Sequence, residues 1–120
     1  MRVAIWLDDV RNPASMMWKD RVDVYASTPD QVIWAKTFEE FTQEFTRVRQ
    51  DPDLELVAVF FDNDLGKGKE GRHAFTWMEG EVREHNMGPF VLHAQTANLA
   101  ARKELRGGFQ SLHRFWQELV

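Results

Sequence analysis

The stretch LELVAVFFDNDLG (residues 54–66) carries the strongest strand signal in the chain and ends in a polar cluster that contains Asp62 and Asp64. An apolar run of this length predicts a strand that is buried on both faces of a sheet. The stretch VAIWLDD (residues 3–9) has the same arrangement near the N-terminus and also ends on two acids. Two buried strands that both end in acid pairs suggest one shared site.

Further apolar runs supply the rest of the predicted sheet. QVIWAK (residues 31–36) and FVLHA (residues 90–94) are strand-like, and FVLHA is the expected fourth strand of the core. VDVYA (residues 22–26) is also strand-like, and its distance from QVIWAK allows a hairpin.

Three stretches have apolar residues at the three- and four-residue steps of an amphipathic helix. The first begins at Thr37, where Thr-Phe-Glu-Glu has the form of a capping box. The others lie around residues 74–82 and 105–119, the last despite two consecutive glycines. The alternation of strands and helices predicts an α/β fold: a three-layer α/β/α sandwich with a mostly parallel sheet of four to five strands, in one domain over residues 1–120. Such sheets bind ligands beyond the carboxyl ends of their strands, where the acid pairs lie.

Composition excludes several classes of function. The formal net charge is −4, which argues against an extended groove for duplex nucleic acid. The chain has no cysteine, so disulfides and thiolate metal sites are excluded and a cytoplasmic location is expected. No apolar run approaches the roughly 20 residues of a membrane-spanning helix.

The acids predict a metal site. Carboxylates brought close together repel one another, by about 4 kcal/mol for a pair at 4 Å and intermediate dielectric. Protonation, an arginine or a hard divalent cation must offset this repulsion, and oxygen ligands suit Mg²⁺, or Mn²⁺ in its place. We therefore predict that Asp8, Asp9 and Asp62 hold the metal. Arg11 is expected to neutralise the acids or to bind phosphate. The simpler alternatives are solvated loop acids and a plain salt bridge.

The loop KGKEGR (residues 67–72) offers three cations between glycines, just before a predicted helix. Backbone N–H groups and a helix N-terminus favour an anion there, so Lys67, Lys69 and Arg72 are candidates for binding phosphate. A flexible, solvated loop is an equally weighted alternative. A Walker A loop is excluded because Arg-His stands where Lys and Ser/Thr are required, and an EF-hand is excluded because Lys67 replaces its required glycine.

His93 lies late in the fourth predicted strand, which ends at the same edge as the acids. It is a candidate general acid or base, although a satisfied core histidine is the common alternative. Thr96, which follows the same strand, is a further candidate for binding phosphate. The other three histidines are predicted to be structural.

Three motifs together resemble a known family. WLDDVRNP (residues 6–13), FFDNDLG (residues 60–66) and VLHAQT (residues 91–96), followed by a last helix, are similar to the cyclic-phosphate processing receiver-like domains. Their pattern runs LDDxRxP, then LDxDLG, then a His-Ser-x-Asn block. The match covers nearly the whole chain in the right order.

The resemblance implies roles for individual residues. Asp8 and Asp9 match the acidic pair that helps receivers to hold Mg²⁺, and Asp62 occupies the place of the receiver phosphoacceptor. Asp64 is the family's additional acid, and the matching arginine and histidine are again candidates for catalysis: Arg11 and His93.

The chain also departs from the pattern. Ala94 and Thr96 replace the Ser and Asn of the last block. The fifth strand of a receiver and its lysine are missing, which speaks against phosphorelay signalling.

Three functions follow from these patterns. The first is metal-assisted hydrolysis of a cyclic phosphate, for which the resemblance implies a small nucleotide or an RNA end as substrate and RNA-repair proteins as partners. The second is a receiver-type phosphoacceptor. The third is a non-catalytic module that binds a nucleotide or a protein, and an aromatic such as Trp6 or Trp18 near the acids would strengthen the version in which a base stacks.

Overall fold

The fold was established from a computed structural model, which describes residues 1–13, 29–66 and 68–119. In chain order the elements are β1 (Arg2–Leu7), β2 (Gln31–Ala35), α1 (Phe38–Gln50), β3 (Glu55–Phe61), α2 (Gly71–His85), β4 (Val91–Ala94) and α3 (Leu99–Glu118). Each strand and helix predicted within these ranges is present. The predicted strand at residues 22–26, its hairpin and Trp18 lie outside the described residues.

The four strands form one parallel sheet in the order β2-β1-β3-β4. Leu7 lies opposite both Ala35 and Phe61, and Phe61 lies opposite Ala94. The four strands therefore end level with one another, and the residues that follow them emerge along a single edge of the sheet.

All three described helices pack on the same face of this sheet. Their buried side chains form the main core with one face of the strands; the helices contribute chiefly aromatic and aliphatic residues, including Phe41, Phe45, Met78, Phe109 and Leu112. The opposite face has its own buried cluster, made of Ala4, Trp6, Ala58 and Phe60. The central strands are thus buried on both faces, as their unbroken apolar runs predicted.

The architecture is a receiver-like α/β fold. The connection from β2 through α1 to β3 crosses β1, so β1 and β3 lie at the centre of the sheet, and the acids follow these two strands. Beyond β4 the described chain contains one helix and no further strand, so up to residue 119 there is no fifth receiver strand to carry a lysine.

The helix ends agree with their local sequence. Thr37 caps α1 by accepting a hydrogen bond from the Glu40 N–H (3.1 Å), and the Glu40 carboxylate accepts one from the Lys36 N–H (2.9 Å). Asn98 caps α3 through the Ala101 N–H (3.0 Å). Across the described part of the chain, no helix is both long and apolar enough to cross a membrane.

Candidate active site at the carboxyl edge of the sheet

Asp8 is the buried centre of the candidate site, with 1% of its surface exposed. Its Oδ1 accepts hydrogen bonds from the backbone N–H groups of Val10 (3.0 Å) and Arg11 (2.8 Å). Its own N–H donates to the Ala35 carbonyl (3.0 Å), which extends the sheet by one residue. The two bonds to Oδ1 satisfy this buried acceptor atom and hold the chain after β1 in a tight turn.

Asp9 and Asp62 complete a cluster of three carboxylates with Asp8. One oxygen from each residue lies within 4.8 Å of the others. The Asp62 N–H donates to the Leu7 carbonyl (2.9 Å), so the ends of β1 and β3 are held side by side. The structure therefore brings together the three residues predicted as metal ligands.

The pKa of Asp62 is raised to about 6 from an ordinary value of 3.8. Desolvation by burial is the largest cause, followed by the negative charge of Asp8, with a smaller contribution from Asp9. Arg11 and a hydrogen bond from the Asn63 N–H act in the opposite direction. Burial and the two neighbouring acids therefore outweigh Arg11 and the Asn63 N–H in their effect on the pKa of Asp62.

Arg11 lies beside this cluster. Its Nη1 donates to the Gln95 carbonyl (3.0 Å) and lies 3.7 Å from Asp8 Oδ2, while its side chain stays 42% exposed. The guanidinium is anchored by one nitrogen and presents other N–H donors to solvent. It makes the predicted salt bridge and retains the capacity to bind phosphate.

Two indole groups support the turn that holds Asp8 and Arg11. Trp34 Nε1 donates to the Asp8 carbonyl (2.7 Å), and Trp6 Nε1 donates to the Arg11 carbonyl (2.9 Å). Trp6 has no exposed surface. It therefore has a structural role, and the suggestion that Trp6 stacks on a nucleotide base is wrong.

Gln95 is a site residue that no pattern in the sequence marks. It is buried, its N–H donates to the Phe61 carbonyl (2.8 Å), and its Nε2 donates to Asp8 Oδ2 (3.4 Å). Its Oε1 is buried without a hydrogen-bond partner. Gln95 thus ties the end of β4 to Asp8 and to Arg11, and it keeps one unsatisfied acceptor next to the acids.

The loop after Asp62 is fixed by its contacts with the start of α2. Asn63 accepts from the Gly71 N–H at its carbonyl (2.9 Å) and donates from Nδ2 to Glu70 Oε2 (2.8 Å). Gly71 packs so closely that a Cβ atom there would overlap the Asp62 carbonyl oxygen. Asp62 is therefore held by α2 as well as by β3.

An open pocket of about 490 Å³ lies over the acids. Its lining brings together the acids Asp8, Asp9, Asp62 and Asp64 with Val10, Arg11, Gly66 and Ala97. Asp64 is exposed at the rim. All four acids and the arginine of the predicted site thus line one space.

The donor set fits a hard divalent cation. It consists of carboxylate oxygens, which Mg²⁺ and Mn²⁺ prefer, and lies in an open pocket with room for water ligands. Gln95 Oε1, buried without a hydrogen-bond partner, is a further oxygen acceptor on the side chain that contacts Asp8.

His93 and Thr96 lie near the pocket but do not line it. His93 is opposite Phe60 in the sheet, and its ring packs against the Phe60 ring with the centroids 5.6 Å apart. Thr96 is buried, and its Oγ1 accepts from the Asn98 N–H (3.1 Å). Their proposed roles in proton transfer and phosphate binding stay predictions.

The cations of the glycine loop point to other partners. Lys69 Nζ lies 4.5 Å from the centre of the Phe38 ring. Arg72 pairs with Glu70 (3.4 Å) and Glu104 (3.5 Å). Lys67 lies outside the described residues. The structure does not bring Lys69 and Arg72 into the lining of the acidic pocket, and their binding to phosphate stays a prediction.

Comparison with known proteins gives one finding. No curated protein and no solved structure shows significant similarity to the chain. A family model described as "Cyclic-phosphate processing Receiver domain" matches residues 3–111. This match spans all four strands and most of α3, and it includes every residue that lines the acidic pocket. The chain therefore belongs to the family of cyclic-phosphate processing receiver domains.

Proposed function

We propose that the protein hydrolyses a cyclic phosphate with the help of a divalent cation. The observation that carries this proposal is the meeting of three carboxylates and a half-exposed arginine in one open pocket. The family directs the choice of substrate to cyclic phosphates, such as the 2′,3′-cyclic end of an RNA or a nucleotide. RNA-repair proteins in the cytoplasm are the partners that we propose with it.

The cation would be held by Asp8, Asp9 and Asp62. When bound, Mg²⁺ or Mn²⁺ supplies positive charge that stabilises negative charge developing on the phosphate oxygens. Arg11 binds the phosphate from the other side through guanidinium N–H groups that its contact with Gln95 leaves free. Together these groups orient the ring of the cyclic phosphate in the pocket.

Proton transfer is assigned to the acids. A water molecule attacks phosphorus, its proton passes to a carboxylate oxygen, and one P–O bond of the ring breaks. The leaving oxygen takes a proton from solvent, and a phosphomonoester results. Asp64 at the rim is the preferred acceptor, because it lines the pocket and is not one of the three proposed metal ligands. Asp62 is the second candidate acceptor, since a bound cation would lower its pKa and weaken it as a base.

The proposal is tested by turnover of the four 2′,3′-cyclic mononucleotides with Mg²⁺ or Mn²⁺. Asp62→Ala is expected to lower kcat/KM about 100-fold or more, because a ligand of the proposed cation is lost. Asp53→Ala, which removes an exposed acid far from the pocket, is the matched control and should keep the wild-type rate. Absence of turnover with either metal contradicts the proposal.

A receiver-type phosphoacceptor is the second candidate function. It is favoured by the position of Asp62 directly after β3, beside Asp8 and Asp9. It is disfavoured because no strand with a lysine follows β4 up to residue 119. Treatment with acetyl phosphate followed by intact-mass measurement separates the candidates, since only a phosphoacceptor gains a phosphoryl group that Asp62→Ala abolishes. Tight nucleotide binding without turnover or phosphorylation would instead support the non-catalytic module.

A further inference from the structure

A second surface groove begins next to the acidic pocket and runs along α3. It has a volume of about 470 Å³ and is lined by Leu99, Arg102, Lys103, Arg106, Gly107 and Gln110. These residues are three or four positions apart, so they form one stripe along the helix. We call this surface the α3 groove. It places three cations in a protein whose formal net charge is −4.

The α3 groove and the acidic pocket are joined through residues 96 and 97. The Arg102 guanidinium donates from Nε (3.2 Å) and Nη2 (2.6 Å) to the Thr96 carbonyl. The next residue, Ala97, lines the acidic pocket. Arg102 therefore marks the point where the groove meets the pocket, and Lys103 and Arg106 lead away from it.

No described side chain forms an ion pair with the cations of the α3 groove. Among the residues that the structure describes, no carboxylate lies within ion-pair distance of Lys103 or Arg106. Glu104, the acid between them, is turned towards Arg72 on α2 at 3.5 Å. The groove therefore presents a positive surface that is open to an anionic ligand.

Helix stability does not explain this placement of charge. The macrodipole favours acids in the first turn of a helix and cations in the last. In α3 the first turn has no acid and the last turn has no basic residue, and the three cations of the groove lie in the half nearer the N-terminus, whereas Arg114 lies in the other half. Their position adds to the positive potential at the start of α3 beside the pocket, which suits binding and not folding.

Gly107 leaves part of the α3 groove without a side chain. A glycine within a helix costs about 1 kcal/mol relative to alanine. Its neighbour Gly108 has a packing reason, because a Cβ there would overlap the Phe75 ring. A Cβ at Gly107 would meet nothing within 4 Å. No contact inside the described protein requires Gly107, and its bare backbone leaves room for close approach from outside.

We infer that the α3 groove binds the sugar–phosphate backbone of a single-stranded polynucleotide whose cyclic end occupies the acidic pocket. The inference rests on the proposed function and narrows its substrate class from a mononucleotide to an oligonucleotide. Charge complementarity favours a polyanion along Arg102, Lys103 and Arg106, and Gln110 extends the polar lining. Leu99, which is 75% exposed, offers an apolar contact for a sugar or base at the entrance.

The test compares two doubly substituted proteins. Lys103→Gln with Arg106→Gln removes the free cations of the α3 groove and keeps Arg102, which holds the Thr96 loop. Arg47→Gln with Arg83→Gln is the matched control, because it removes two exposed cations from other helices and the same net charge. The probes are a labelled oligoribonucleotide of about eight residues ending in a 2′,3′-cyclic phosphate and the corresponding cyclic mononucleotide.

Binding and turnover are both measured. For the wild type, fluorescence anisotropy should show salt-dependent binding of the oligonucleotide. The groove variant loses two phosphate contacts, so the magnitude of its slope of log K against log salt should fall by about 1.4. The control variant keeps these contacts, so its slope should equal that of the wild type. The ratio of kcat/KM for the oligonucleotide to kcat/KM for the mononucleotide should fall several-fold in the groove variant alone.

The outcomes separate this inference from the proposed function. If the mononucleotide is turned over but the groove variant binds the oligonucleotide with the wild-type salt slope, the inference is overturned and the proposed function stands. If neither probe is turned over but the slope falls as expected, polynucleotide binding stands and hydrolysis is lost. If poly-glutamate of similar length binds as tightly and with the same loss in the groove variant, the groove is a surface for acidic proteins and the inference is wrong.

Discussion

At the scale of single residues, Asp62 determines the electrostatics of the site. It is nearly buried, at 8% exposure, and shares its surroundings with Asp8 and Asp9. Burial and the two neighbouring acids raise the pKa of Asp62, and Arg11 offsets their effect only in part, since the pKa remains raised to about 6. Without a bound cation, the ionised Asp62 therefore destabilises the fold, and the free energy of unfolding depends on its titration.

The first prediction concerns the pH dependence of stability. The folded protein binds the Asp62 proton more tightly than the unfolded chain does, so stability falls as pH rises from about 4 to 6. Asp62→Asn removes this loss and should be more stable than wild type by about 2 kcal/mol at pH 7 in chelator. The difference should disappear near pH 4. Urea denaturation measures it, and a constant difference across this range contradicts it.

The second prediction concerns Arg11, which lowers the pKa of Asp62. Arg11→Gln removes that positive charge, so the pKa of Asp62 should rise further above 6. Titration of the aspartate carboxyl carbons by NMR in metal-free buffer measures the change. Arg47→Gln, which lies on α1 and pairs with Glu44, is the control and should leave the pKa where it is. A fall in the pKa of Asp62 on loss of Arg11 would contradict the assigned geometry.

At this scale, the sequence allowed prediction only of those site residues that directly follow the end of a strand. Asp8 and Asp62 come directly after apolar runs, so the parallel sheet alone brings them together. Gln95 contacts Asp8 across 87 positions in the sequence, and its side chain carries no pattern that marks this role. The direction of long, flexible side chains was equally unpredictable, since Lys69 packs on Phe38 and not against the acids.

At the scale of elements, the start of α2 controls the position of β3's acidic end. Gly71 donates its N–H to the Asn63 carbonyl and packs against the Asp62 backbone without space for a side chain. Gly80 lies in the same helix, where a Cβ would meet nothing within 4 Å. These two glycines form a natural pair for comparing a packing requirement with helix propensity.

The third prediction uses that pair. Gly71→Ala forces a methyl group into the Asp62 backbone and should lower the free energy of unfolding by about 3 kcal/mol. Gly80→Ala should raise it by about 0.5–1 kcal/mol, because alanine favours the helix and has room. Thermal unfolding of both variants measures the difference. Equal and small effects would show that α2 does not press on the strand end.

The order of elements was predictable, and their placement in layers was not. The strands at residues 3–7, 31–36, 54–61 and 90–94 and all three helices follow from apolar spacing and the Thr37 cap, with ends that shift by one residue or more. The apolar runs of β1 and β3 are buried on both faces, so they do not indicate which face a helix covers. Contacts between helices decide that all three described helices share one face.

At the scale of the whole molecule, charge is separated along the carboxyl edge of the sheet. The acidic pocket and the α3 groove lie side by side, joined at Ala97 and Arg102. A second group of potential ligands, Glu81, Glu84 and His85, lies on the surface of α2 and is largely exposed. A metal-binding experiment must therefore distinguish the buried cluster of Asp8, Asp9 and Asp62 from this exposed group.

The fourth prediction is that Mg²⁺ stabilises the protein through the pocket. Binding to the folded state alone adds about 2.7 kcal/mol when the free metal concentration is 100 times Kd. Asp9→Asn should abolish most of the rise in Tm, whereas Glu84→Gln should keep it. The rise should also shrink below pH 6, because protons then compete for Asp62. Loss of the rise in Glu84→Gln would place the metal on α2 instead.

The indole contacts of the turn after β1 give the site an intrinsic fluorescence signal. Trp34 and Trp6 donate directly to the carbonyls of Asp8 and Arg11. Any ligand that shifts this turn changes the hydrogen bonding of two chromophores, and with it their emission. The molecule thus contains its own optical reporter, by which binding can be followed without a label attached near the pocket.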